Sequence, residues 1–348
     1  MARRYHVLIA VWGEAYVDTM ARTLARSLLF PGNLPGLSHG NPCTVVFVTR
    51  PEDESRIRTH ASVQHLMKVA RTEFIHFDPS ALPNVYLAMS RAHYLAGTVT
   101  RREGAVGIIA SPDALISDGS LMAVARYVEQ GKAAVLCAGP RLLQETTLPA
   151  LDRRLKDTAL SGRDLVSLTL GHLHPQMLRY FVDSGDFSTF PALCCWSLGE
   201  RGFLLRAFHL HPIMVDFARV TNFEALERQS IDGVFLDNAF GEDAAIAVET
   251  DSDNIYMCSV TPADAWYSES RRQTWSIDAL RAVAHCEMCA DVNRRHFQTA
   301  IKIHVADLDG EWARVEAATK LIAEAAVVAP QVPPVGLIAR LIRRIRRT

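Results

Sequence analysis

The sequence predicts an α/β protein: an αβα sandwich on a mostly parallel central sheet, followed by a helical C-terminal region. Three observations carry this. Short, continuously apolar runs alternate with stretches of helical periodicity, the runs end in turn-forming residues, and helical spacing dominates from Trp275 onward. Residues 6–12 form the first apolar run and break at Gly13-Glu14. Residues 15–29 then carry Val17, Met20, Leu24 and Leu28 at helical spacing, and Pro31-Gly-Asn-Leu-Pro35-Gly stops that helix. The β-branched run 44–49 reads as a second strand, with Arg50-Pro51-Glu52-Asp53 opening a helix. Residues 74–77 give a third strand, 86–99 a second long helix and 107–110 a fourth strand. This β-α-β-α-β-α-β order predicts parallel pairing with right-handed crossovers. Beyond it, 121–130 reads as helix, 133–138 as strand and 148–171 as a polar helical region. Residues 193–197, 208–215, 245–249 and 254–258 read as short strands, and 275–328 as helical. No repeat or linker is visible before Pro330.

The composition narrows the class. The 348 residues are 49% hydrophobic and 22% charged, with a net charge of −1. Such a chain buries a substantial core and is not a globally basic nucleic-acid binder. No apolar run reaches the ~18–20 residues that span a bilayer. Residues 1–11 imitate a signal peptide but run into Trp12-Gly13-Glu14 rather than a small-residue cleavage site. They are read as the first strand, and the protein as cytoplasmic. Seven cysteines lie mostly in apolar runs and read as small core residues. Cys286-x-x-Cys289 has no second pair at zinc-site spacing, and disulfides are not expected in a reducing compartment.

The most informative stretch is Gly107-Ile-Ile-Ala-Ser111-Pro112-Asp113-Ala-Leu-Ile-Ser117-Asp118-Gly119. A buried strand ends, and Asp113 follows just past its carboxyl end, where ligands bind in open α/β sheets. A carboxylate there can hold a divalent cation against a diphosphate; equally, it can cap the turn or the next helix. His209 and His211, two apart in a run read as a strand, would face one side and suit metal ligation or proton transfer. His172 and His174 repeat that spacing. A structural histidine is the plainer account of each. Asp251-Ser-Asp253 repeats an Asp-x-Asp spacing, where a turn role is at least as good an account.

Three segments together resemble bacterial GT-A-type nucleotide-diphosphosugar glycosyltransferases. They are Val11-Trp12-Gly13-Glu14-Ala15-Tyr16, Ser27-Leu-Leu-Phe-Pro31-Gly-Asn33-Leu-Pro35, and Ser111-Pro112-Asp113-Ala-Leu-Ile-Ser117-Asp118. The family's metal motif is Asp-x-Asp after the fourth strand; here Asp113 is the second acid and Ser111 replaces the first. The resemblance is good over residues 1–130 and poor beyond. It implies a GT-A-like domain over 1–329, with a nucleotide-binding half at 1–130 and an acceptor half at 131–329. The implied activity is sugar transfer from a nucleotide-diphosphate donor to a glycan or lipid-linked acceptor, in surface polysaccharide synthesis. Trp12, Gly13 and Tyr16 would line the nucleotide pocket, Arg50 and Glu52 would meet base or ribose, and Arg91 would pair with the diphosphate. Asp113 would hold manganese or magnesium, with His211 or His209 completing the shell, or a donor-sugar hydroxyl if the chemistry is metal-independent. Asp183, Asp186 and Asp237 are the carboxylates considered as general base. A non-catalytic GT-A-like domain that binds glycan or a partner protein is the competing class.

Residues 330–348 form a basic amphipathic tail. After Pro333-Pro334, five arginines interleave with Leu337, Ile338, Leu341, Ile342 and Ile345, with no acid among them. A helix of this composition lies on anionic membrane surfaces. The expectation is peripheral attachment to the inner membrane face, with a solvated helix or a nucleic-acid contact as the alternatives.

Overall fold

The computed structural model describes residues 2–154, 158–240, 246–265 and 274–328. In chain order its strands are β1 (Tyr5–Ala10), β2 (Cys43–Thr49), β3 (Arg71–His76), β4 (Val106–Ile109), β5 (Ala114–Ile116), β6 (Ala134–Cys137), β7 (Arg141–Leu143), β8 (Leu193–Ser197), β9 (Gly202–Ala207), β10 (His211–Val215), β11 (Ile246–Val248), β12 (Met257–Thr261) and β13 (Ile301–His304). The chain divides into two compact units, Met1–His174 with Leu210–Trp266, and Pro175–His209 with Tyr267–Thr348.

The first unit is built on a seven-stranded sheet in the order β11-β6-β10-β4-β1-β2-β3. All pairs are parallel except those of β10, which runs against both β4 and β6. Continuous apolar runs are what a sheet covered on both faces requires, and every residue of β1, β2, β4 and β6 is buried. Alternation assigns the faces. Val7, Ile9, Val45, Phe47 and Ile108 share a core with Met20, Leu24, Leu28, Leu34, Ile57, Val63 and Val124 from the helical segments 14–38, 51–69 and 120–129. The opposite face meets the helix Val85–Arg102, where His6 Nδ1 lies 3.2 Å from Thr100 Oγ1. A Cβ on Gly107 of β4 would stand 2.5 Å from the Phe217 ring. A second sheet, β5-β12-β7, carries the chain on from β4 and β6.

The second unit holds the antiparallel sheet β13-β9-β8 and the helices Ile277–Ala284, Asp291–Phe297 and Gly310–Val327. Its core gathers Phe187, Cys194, Phe208, Leu280, Cys286, Cys289 and Phe297. All seven cysteines are free and buried.

Several expectations need correction. The helix over 15–29 breaks at Thr23, whose hydroxyl donates to the Thr19 carbonyl at 2.8 Å. That splits it into Glu14–Arg22 and Leu24–Leu28. The strand read over 208–215 begins only at His211, because residues 208–209 form a bend. The strand read at 254–258 lies at Met257–Thr261. Residues 275–328 are not helical throughout: β13 interrupts them. The sheet also crosses the boundary drawn at residue 130, since β6, β10 and β11 complete it. No described helix is long and apolar enough to cross a membrane. The tail 330–348 lies outside the described residues.

Candidate functional site at the carboxyl rim of the sheet

Strand order reverses around β1, with β2 and β3 on one side and β4 on the other. In open α/β sheets the crevice outside the carboxyl ends at such a reversal receives ligands. Gly13, Arg50 and Asp113 follow the carboxyl ends of β1, β2 and β4. Because β10 runs the other way, its first residue, His211, stands on the same rim, paired with Cys137 at the end of β6.

Gly13 has φ +81° and ψ 142°, a backbone conformation that disfavours side chains, and nothing lies within 4 Å of where a Cβ would stand. The position thus needs glycine for its conformation, with open space in front of it. Its N–H donates to Asp53 Oδ2 at 2.9 Å. Arg50 grips the same carboxylate with two bonds, Nε to Oδ2 at 2.6 Å and Nη2 to Oδ1 at 2.9 Å. Asp53 therefore stitches the loop after β1 to the loop after β2, and these Arg50 bonds hold its carboxyl below the usual range despite burial. Arg50 also pairs with Glu52 at 3.2 Å. Trp12, half-buried, meets Phe77 edge-on at 5.2 Å. Tyr16 is 59% exposed.

Asp113 lies where β4 hands over to β5. Its carbonyl accepts the Val260 N–H at 2.9 Å, so it belongs to the edge of the second sheet rather than to a helix cap. Its side chain, 19% exposed, pairs with Arg141 Nη1 at 3.3 Å. Arg141 also donates to Thr261 Oγ1 at 3.0 Å. Burial raises the Asp113 carboxyl pKa, and the Arg141 charge pulls the other way. Sequence reasoning passed over Arg141. The available signal was a basic residue leaving the carboxyl end of the strand predicted at 133–138, as Arg50 leaves that at 44–49.

Asp118, the acid that follows the apolar triplet Ala114-Leu-Ile116, is structural. Asp118 Oδ1 accepts the Gly32 N–H at 2.6 Å. Fully buried Asn33 donates to the Ser27 carbonyl at 2.8 Å and the Ser117 carbonyl at 3.0 Å, and accepts from the Leu121 N–H at 3.1 Å. Two of the segments that carry the family resemblance are thus hydrogen-bonded to each other, and the first braces the second.

The remaining residues are scattered. Arg91 is paired with Glu227 and lies over the Tyr94 ring, 5.3 Å from its centroid. That carboxylate offsets its charge. Asp237, half-buried, sits on the helix Gly233–Phe240 of the first unit. Asp183 and Asp186 belong to a turn of the second unit, Asp183 exposed and Asp186 3.6 Å from Arg179. His209 also belongs to the second unit, with Nδ1 3.1 Å from Asn293 Nδ2, so it does not share a strand with His211. Asp253 pairs with Arg163 at 2.7 Å, and its N–H reaches Asp251 Oδ1 at 2.8 Å, as a turn requires. A hard divalent cation wants about six oxygen ligands. Among the described residues, the carboxylate at this point is that of Asp113 itself, paired with the Arg141 guanidinium, with Ser111 in place of the other acid. This set does not fit a tight manganese or magnesium site.

No family model and no curated protein matches the chain. Solved structures with a similar chain path include three whose titles name a thymidylyltransferase, a xylosyltransferase and a synthase. A Bacillus anthracis protein described as a glucose-1-phosphate thymidylyltransferase, in complex with a sucrose, is 10% identical over 41% of this chain and 57% of its own, with a TM-score of 0.27. Mouse xyloside xylosyltransferase 1 is 11% identical over 44% and 59%, also at 0.27. The 4-diphosphocytidyl-2C-methyl-D-erythritolsynthase of Anaerococcus prevotii is 10% identical over 82% and 98%, at 0.37. The chain thus spans less than two thirds of the first two. At this level of likeness no residue role passes from them to this chain.

Proposed function

We propose that the chain is a GT-A-like transferase that moves a sugar from a nucleotide-diphosphate donor to a glycan or lipid-linked acceptor in surface polysaccharide synthesis, without a bound metal. One observation carries the reading: an open glycine, a fixed arginine and a carboxylate–guanidinium pair leave neighbouring strand ends on one rim. Gly13 admits the donor against backbone, and the N–H groups opening the helix Glu14–Arg22 favour an anion. Trp12 and Tyr16 offer aromatic faces to base or sugar. Arg50, set by Asp53, meets base or ribose together with Glu52. Arg141 replaces a cation as the charge opposite the diphosphate, and Asp113 orients it while accepting from a donor-sugar hydroxyl. In an inverting transfer the acceptor oxygen bonds to the anomeric carbon as the sugar–phosphate bond breaks, and a carboxylate takes the hydroxyl proton. Asp237 is preferred to Asp183 and Asp186 because it lies in the same unit as Asp113.

The test is calorimetric titration of the full chain with a panel of nucleotide-diphosphate sugars, with manganese and with EDTA. The reading expects one donor to bind equally in both conditions, and more weakly to Arg141→Gln. Absence of binding across the panel would contradict it. A second reading, a non-catalytic GT-A-like binding domain, is favoured by the engagement of Asp113 and Asp118 by protein partners. It expects donor binding with neither transfer nor donor hydrolysis.

A further inference from the structure

The joint between the helices Ile277–Ala284 and Asp291–Phe297 holds Cys286-Glu-Met-Cys289. The Cys289 N–H donates to the Cys286 carbonyl at 3.1 Å and so closes a four-residue turn. The Cα atoms that end such a turn lie within ~7 Å of each other, close to the ~4.4–6.8 Å that a disulfide bridges. Both cysteines belong to the apolar cluster of Phe187, Phe208, Leu280 and Phe297, so their side chains turn to the same inner side. They are 7% and 6% exposed, whereas Glu287 and Met288 between them are exposed. The two thiols thus lie directly beneath a surface turn. Arg294 fixes that turn. Its Nη1 donates to the Ala284 carbonyl at 2.6 Å and to the Cys289 carbonyl at 3.1 Å, and its Nη2 pairs with Asp291. Burial, reinforced by the neighbouring Cys286, pushes the Cys289 thiol up to about 11, against the pull of the Arg294 charge. The other five cysteines lie inside strands: Cys43 in β2, Cys137 in β6, Cys194 and Cys195 in β8, and Cys258 in β12.

We propose that Cys286 and Cys289 are a redox-active dithiol, a modification site that closes to a disulfide by exchange with a small organic disulfide. One cysteine thiolate attacks a sulfur of the incoming disulfide, forming a mixed disulfide and releasing one thiolate. The second cysteine attacks the protein sulfur of that bond and expels the other half. The two cysteine protons end on the two released thiols; the pair loses two electrons and the incoming disulfide gains them. The closed loop is so short that the bond removes little chain entropy. The site therefore responds to redox conditions and does not brace the fold, the use that disulfides have in reducing compartments. It lies in the second unit and rests on nothing in the reading of the rim.

The experiment incubates the reduced full chain with oxidised glutathione under native conditions, blocks the remaining thiols and maps the products by peptide mass spectrometry. Cleavage after Arg281 and Arg294 puts both cysteines on one peptide, which should lose two hydrogens. That product should form at least about tenfold faster than any product at the other five cysteines, and dithiothreitol should reverse it. Of the single variants Cys286→Ser and Cys289→Ser, at least one should stop at a glutathione mixed disulfide on the cysteine that remains. No bond between the pair, a product elsewhere that forms as fast, or no mixed disulfide in either variant would overturn the inference. If the variants do not fold, the map of the wild-type chain decides: the internal bond formed first supports the site, and any other first product overturns it.

Discussion

At the scale of single residues, two positions carry the rim and each makes a testable demand. Gly13 sits at φ +81° with open space beyond it. Gly13→Ala should therefore cost about 1–3 kcal/mol of stability through backbone strain rather than through a clash, and weaken donor binding. A variant as stable as wild type in urea denaturation would contradict the strain. Asp53 is buried, and its Arg50 hydrogen bonds lower its pKa. The folded value lies below the unfolded one of about 3.9, so the stabilisation is present above that pH and is lost as pH falls through the folded value. Wild type should thus lose more stability than Asp53→Asn between about pH 6 and pH 3. Equal losses, compared by urea midpoints at the two pH values, would remove Asp53 as the stitch. Gly13, Arg50 and Asp113 were legible because each follows an apolar run that stops at a turn former. Arg141 was not, since only the pairing of β12 with both β5 and β7 brings it beside Asp113.

At the scale of elements, close approach explains two glycines. A Cβ on Gly32 would stand 2.7 Å from the Gly119 nitrogen, where the bracing segment meets the acidic loop. On Gly107 it would meet the buried Phe217 ring at 2.5 Å. Each Gly→Ala change should destabilise by about 1–3 kcal/mol, whereas Gly40→Ala, with nothing within 4 Å, should not. Thermal midpoints of the three variants check this, and equal midpoints would refute it. The strands of the parallel sheet were readable from their unbroken apolar runs. β9 was missed because Arg206 interrupts its run. That arginine is buried, its charge satisfied by the Gln298 carbonyl at 2.5 Å and the Thr319 hydroxyl at 3.2 Å. β13, Ile301-Lys-Ile-His304, was submerged in the helical pattern on either side, and only pairing with β9 makes it a strand.

At the scale of the whole molecule, the near-neutral net charge of −1 conceals a tail of one sign. With about 1 kcal/mol per basic residue near an anionic surface, the full chain should sediment with anionic vesicles at low salt. A chain ending at Val328 should not. Equal sedimentation with neutral vesicles would sink the membrane proposal, and with it the main reason to favour a lipid-linked acceptor. The division into units was not legible, because the first unit resumes at Leu210 after the second has begun at Pro175. No composition shift marks either crossing. The central claim is that a carboxyl-rim site uses Arg141, not a metal, as its fixed positive charge. Donor hydrolysis or transfer by the full chain and by Arg141→Gln, each with manganese and with EDTA, tests it most directly. The account predicts wild-type turnover that survives EDTA and a loss of about 10²–10³-fold in the variant under both conditions. Turnover that EDTA abolishes, or that Arg141→Gln leaves intact, would contradict it.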